Sequence, residues 1–141
     1  MNEYQIYIKG RGHDDIAACA IVIVENGIEF FSGGKFFEGF IPTKNEVIDL
    51  LPNKMQYQME LYAVAWALTF CIKPAKVTFL TNNLAVKRWL EKGEVNEDYA
   101  DIYEYCKKLS QGIEIKYEHI KKGTDELSDK CDSIAYQYEF Q

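Results

Sequence analysis

The chain is poor in the residues that build most metal and disulfide sites. It has two histidines, His13 and His119, and four well-separated cysteines, Cys19, Cys71, Cys106 and Cys131. No C-x-x-C pair occurs and the histidines complete no zinc-ligand spacing, so the thiols are expected to be free and buried, in a reducing cytoplasm. Proline is scarce, at three in 141 residues, and no repeat or biased segment appears, which excludes collagen-like and disordered classes. Positive charge is in deficit: 16 basic residues face 22 acidic ones, for a net charge of −6. Nucleic-acid binding through bulk positive charge is thereby disfavoured, and only local basic patches remain as a route. Long apolar runs are missing as well. The longest, Ile16 to Val24, is about half of what a membrane span needs. The N-terminal MNEYQIYIKGRG carries no signal-peptide cleavage pattern, so a soluble, cytoplasmic protein with no membrane partner is expected.

What is present suits one ordinary core. Hydrophobic residues make up 48% and aromatics 14% of the chain, enough for a single domain over 1–141. Tyr4 to Ile8 alternates, Ile16 to Val24 is nearly continuous and apolar, and Ile28 to Phe37 is aromatic-rich, so three strands are predicted. Asn26-Gly27 marks a hairpin between the second and third, and Gly10-Arg11-Gly12 with His13-Asp14-Asp15 reads as the turn between the first two. Gly39 to Tyr57 has no period and reads as a loop. Met59, Tyr62, Ala63, Trp66, Ala67 and Phe70 share one helical face, predicting a helix from Gln58 that Pro74 ends. A strand at Val77–Leu80 follows, then a helix from about Leu84 to Glu91, capped by Asn82-Asn83 and closed by Gly93. Asp98 to Leu109 reads as a helix, Ile113 to Ile120 as a strand and Asp125 to Tyr138 as a last helix. The order βββ-α-β-α-α-β-α predicts an α/β fold with a mixed five-stranded sheet flanked by helices.

Four local motifs carry a resemblance. Gln58-Met59-Glu60-Leu61 continues as Tyr62-Ala63-Val64-Ala65-Trp66-Ala67-Leu68. Val77-Thr78-Phe79-Leu80-Thr81-Asn82-Asn83 ends the fourth strand, Ile120-Lys121-Lys122-Gly123 follows the fifth, and Ser128-Asp129-Lys130-Cys131-Asp132-Ser133-Ile134-Ala135 lies in the last helix. In this order the chain resembles the type 1 ribonuclease H family over almost its whole length. The resemblance implies a ribonuclease H-like fold, and a family that hydrolyses the RNA strand of RNA–DNA hybrids with four carboxylates around two divalent ions. It also implies that Glu60 and Asp132 stand at two carboxylate positions. Lys9 and Asn82 replace the other two, and Gly123-Thr124 stands where the family has a mobile histidine. The four positions then sum to a charge of −1, and an ammonium stands where a bridging carboxylate would be.

Two-metal hydrolysis is therefore not expected, and no cofactor is expected by default. Were the chain active, Mg2+ or Mn2+ would fall to Glu60 and Asp132. Lys9 is expected beside these two carboxylates, standing in for a bound cation. Asn82 reads equally as a helix N-cap, Glu60 as a helix-start charge and Asp132 as a surface residue. Asp14, Asp15 and His13 form either a solvated turn or a replacement ligand set. Lys87, Arg88, Lys121 and Lys122 are the candidate nucleic-acid contacts, while the acidic stretch Glu94 to Asp101 takes the place of the family's basic insertion. The ten tyrosines and eight phenylalanines fall mostly at core spacing rather than as stacking platforms. Three functions stay open: a catalytically silent binder of RNA–DNA hybrid or structured RNA, an active ribonuclease H with rearranged ligands, or a protein-interaction module with a protein partner.

Overall fold

The computed structural model describes residues 1–141. Strands β1 (Asn2–His13), β2 (Ile16–Glu25) and β3 (Ile28–Glu38) form an antiparallel meander. Strands β4 (Phe40–Pro42) and β5 (Val47–Asp49) make a small separate ribbon, followed by helix α1 (Met55–Leu68) and strand β6 (Ala75–Thr81). Helices α2 (Leu84–Lys92) and α3 (Ala100–Leu109), strand β7 (Ile113–His119) and helix α4 (Glu126–Glu139) complete the chain. The main sheet has the order β3-β2-β1-β6-β7, with β6 parallel to both β1 and β7. The fold is thus the mixed five-stranded α/β sheet that the element order predicts. No helix is long and apolar enough to cross a membrane.

The two faces of the sheet are unequal. Twenty-six buried residues form the core under α1 and α3, whereas seven (Tyr7, Ala20, Val22, Val24, Leu80, Cys131 and Ala135) join α4 to the other face. β2 lies between them, and its residues from Ala17 to Val24 are all buried. That burial on both sides explains why its sequence does not alternate. Asn26 and Gly27 both take positive φ, 50° and 85°, as a two-residue hairpin requires. The cysteines are free, and all but Cys71 are fully buried.

Three boundaries differ from expectation. β1 does not turn at Gly10 but runs on to His13, paired with β2 throughout, and only Asp14-Asp15 make the turn. Gly10 is there because α1 crosses the strand: a Cβ on it would lie 2.4 Å from the Gln56 carbonyl oxygen and 2.5 Å from the Glu60 nitrogen. The segment taken for a loop holds β4 and β5, whose Ile41 and Ile48 are buried; strands of three residues are too short to show a period. α1 starts at Met55 rather than Gln58 and has no side-chain cap to announce it. Gln58 is instead a buried brace, donating to the Asp49 carbonyl at 3.0 Å and accepting from the Leu51 N–H at 2.9 Å. Several aromatics also lie on the surface rather than in the core, including Phe30, Phe36, Phe40, Tyr136 and Phe140.

Candidate active site

The site lies where the C-terminal halves of β1 and β6 meet α1 and α4. Alternation along β1 directs Lys9, Arg11 and His13 to the α4 face, while Gly10 and Gly12 lie against α1. Lys9 Nζ donates to Asn82 Oδ1 at 3.2 Å, and Asn82 Nδ2 donates to Asp132 Oδ2 at 3.3 Å. Lys9 makes no ion pair within 4.0 Å with Glu60 or Asp132, but its charge acts on both carboxylates, and its hydrogen bond reaches Asp132 as a relay through Asn82. An amide can do this because its oxygen accepts from the ammonium while its nitrogen donates to the carboxylate. Asn82 is therefore not the cap of α2. Asn83 is, accepting from the Val86 N–H at 3.2 Å.

Glu60 is placed by the crossing of α1 over Gly10 and is completely buried. Its Oε2 accepts from the Thr81 hydroxyl at a long 3.4 Å, and its Oε1 has no hydrogen-bond partner. Burial pushes its carboxyl up to about 7, and the charge of Lys9 together with the nearby Gly10 amide and Thr81 hydroxyl only partly opposes this. Asp132 is half-buried, and desolvation raises it too, against the charges of Lys9 and Lys122. Glu60 is thus no helix-start charge, since it lies beyond the first turn of α1 and is completely buried, and Asp132 is not a fully exposed surface residue.

Of the basic candidates, Lys121 and Lys122 lie at this end of the sheet. The Ile120 N–H donates to the Thr81 carbonyl at 2.9 Å, which sets Lys121-Lys122 beside Asn82, and both lysines are exposed. Arg88 is exposed on α2, whereas Lys87 is held by Glu91 at 3.0 Å. The acidic stretch forms a single 3-10 turn, Glu97–Tyr99, and the start of α3, with Asp98 tied to Lys54 at 2.6 Å.

Sequence reasoning missed a second cluster further along β1. Glu139, 5% exposed at the end of α4, accepts from Arg11 Nε at 2.5 Å and lies 2.9 Å from His13 Nδ1. The His13 ring stacks on Phe140 with centroids 4.8 Å apart, and the Arg11 guanidinium lies over Tyr136 at 5.2 Å. His13 is therefore part of a strand-to-helix clamp, while Asp14 and Asp15 stay exposed in the turn. No group of three His, Cys, Asp or Glu side chains converges as a metal site anywhere in the chain. The signal that could have found the clamp is the i, i+2, i+4 row of Lys9, Arg11 and His13, legible only once Gly10 and Gly12 are read as strand.

No family model matches the sequence, and no curated protein matches it. Solved structures do. Ribonuclease H1 of the halophilic archaeon Halobacterium salinarum superposes with a TM-score of 0.71 at 16% identity, covering 96% of each chain. The N-terminal RNase H domain of a Mycobacterium tuberculosis protein, solved as a maltose-binding-protein fusion, gives 0.73 at 12% identity, covering 98% of this chain and 94% of that one. A compost-derived RNase H1 in complex with an RNA/DNA hybrid gives 0.66 at 12% identity, covering 95% and 97%. The chain has a ribonuclease H-like fold.

Proposed function

We propose that the whole chain acts as one ribonuclease H-like domain that binds nucleic acid, RNA–DNA hybrid or structured RNA, without hydrolysing it by the two-metal route. The observation that carries this reading is the Lys9–Asn82–Asp132 relay. Two divalent ions need converging oxygen ligands. Here an ammonium and an amide take two of the four places, and they satisfy each other and one carboxylate. The donor set does not fit a metal pair, so no step is routed through one. Support for a nucleic-acid partner comes from the exposed Lys121 and Lys122 beside Asn82 and Asp132, from Arg88 exposed on α2, and from the hybrid bound to one structural neighbour. Lys87 is a weaker contact, since Glu91 already offsets its charge.

The unpartnered Oε1 of Glu60 favours a second reading, an active enzyme in which Glu60 and Asp132 hold Mg2+ or Mn2+. A labelled RNA–DNA hybrid incubated with the protein under Mg2+ or Mn2+ titration, and analysed for shift and cleavage, separates the two. A shift without cleavage supports the silent binder. Cleavage that is lost in EDTA and in Glu60→Gln would establish the enzyme. With neither, a protein partner becomes the working reading.

A further inference from the structure

Between the candidate site and the Glu139 clamp lies a cleft of about 150 Å³, lined by Lys9, Gly10, Arg11, Gly12, Gln56 and Glu139 and by no hydrophobic residue. Its two cations are only partly used. Lys9 has three N–H donors and spends one, on Asn82 Oδ1 at 3.2 Å. Arg11 gives its Nε to Glu139 and rests on the Tyr136 ring, which fixes the guanidinium, yet its two terminal amino groups have no protein acceptor. Glu139 is the one acid in the lining, and Arg11 and His13 both engage its carboxylate. The two cations project from one face of β1 with their Cα atoms about 7 Å apart. At the lip, Gln56 is exposed in the first turn of α1 and offers an amide donor.

We infer that this cleft is a metal-independent phosphate subsite, in which Lys9 and Arg11 hold the non-bridging oxygens of a phosphodiester. Lys9 supplies a point charge and Arg11 a planar fork, so together they suit a tetrahedral group whose oxygens diverge. The ammonium that disqualifies the candidate site as a two-metal one thereby serves substrate binding directly. This inference rests on the nucleic-acid reading above and deepens it. A free phosphate or nucleotide offers the same chemistry, and the experiment separates the two sources.

The test has two arms, both in EDTA. In the first, a labelled RNA–DNA hybrid is titrated with wild type, Lys9→Gln, Gln56→Leu and, as a control at the opposite pole of β6, Lys76→Gln, with a thermal melt on each variant. The expected result is a roughly tenfold loss of affinity in Lys9→Gln, the size of one lost charge-assisted contact, with the salt slope reduced by about one. Gln56→Leu should lose about threefold, and Lys76→Gln should match wild type. In the second arm, inorganic phosphate is titrated into the 15N-labelled protein, and the amide shifts are expected to cluster on residues 9–12 and 56. Hybrid binding unchanged in Lys9→Gln, with no phosphate shifts in the cleft, overturns the subsite and leaves the nucleic-acid reading standing. Phosphate shifts in the cleft without hybrid binding keep the subsite, for a free phosphate, and overturn the nucleic-acid reading. Absence of both overturns both.

Discussion

Glu60 and Glu139 are both buried glutamates on helices packed against β1, and they are treated in opposite ways. Glu139 is engaged on both oxygens, by Arg11 and His13. Glu60 has one long bond from Thr81, an unpartnered Oε1, and a carboxyl pushed up to about 7 by burial. A carboxylate removed from water needs a cation or several donors, and where these fall short, as Lys9, the Gly10 amide and the Thr81 hydroxyl do for Glu60, it drifts toward the neutral acid. Glu139 therefore behaves as a structural fastener. Glu60 is instead a buried acid with one oxygen left open beside the Lys9–Asn82–Asp132 relay. The contrast also follows the two faces of the sheet: α4 has the smaller apolar contact and needs the clamp, whereas α1 sits on the large core and holds Glu60 in place regardless.

Breaking the fastened glutamate should have the largest effect. Glu139→Ala leaves Arg11 and His13 without their acceptor and frees the end of α4. Arg11 and His13 are each a third or more exposed, so the cost is expected at about 3 kcal/mol, that of two charge-assisted hydrogen bonds discounted for solvent. Urea unfolding checks it, and a loss under 1 kcal/mol would mean that the clamp is ornamental.

The other glutamate should respond with the opposite sign. Its folded carboxyl titrates near 7 against an ordinary 4.5, so the protonated form is the one that folding favours. Its contribution to stability is fully present below about pH 4.5 and is lost as pH rises to about 7. Glu60→Gln keeps the shape and removes the titration. It is expected to be more stable than wild type at pH 8 by on the order of 2 kcal/mol, with no gain at pH 4. Parallel unfolding curves for the two proteins at both pH values would contradict the orphaned-acid account.

A third change asks whether Glu60 can be given a cation. Lys9→Asp with Asn82→Asp places four acids together, which should destabilise the protein in EDTA and make its melting temperature rise by several degrees in millimolar Mg2+. Wild type should show no such rise.

The smallest effects should separate the two adjacent asparagines. Asn83→Ala removes the α2 cap and should cost about 1 kcal/mol. Asn82→Ala breaks the relay in a half-buried, partly solvated place and should cost no more than that, while leaving α2 intact. Amide exchange in the first turn of α2 distinguishes them.

Much of the fold was legible because its signals are local. The continuous apolar run of β2, the Asn26-Gly27 hairpin, the helical face of α1 and Gly93 at the end of α2 each depend on near neighbours in the chain. Where the reading failed, a distant element had overruled the local signal. Gly10 looks like a turn until α1 is laid across it, and Asn82 looks like a cap until Lys9 and Asp132 arrive on either side. β4 and β5 are too short for any period. Glu139 gives no sign in the sequence, because its partners lie more than a hundred residues away.

The sequence by itself determined the order of elements and the sheet they make, since hydrophobic periodicity and turn chemistry act over a few residues. Tertiary structure alone decided what Lys9, Glu60, Asn82 and Asp132 do to one another. Whether Lys9 pairs directly or through Asn82, and which buried glutamate is satisfied, are matters of a few ångströms in a place with little water. There, one hydrogen bond made or missed decides which charge is stable.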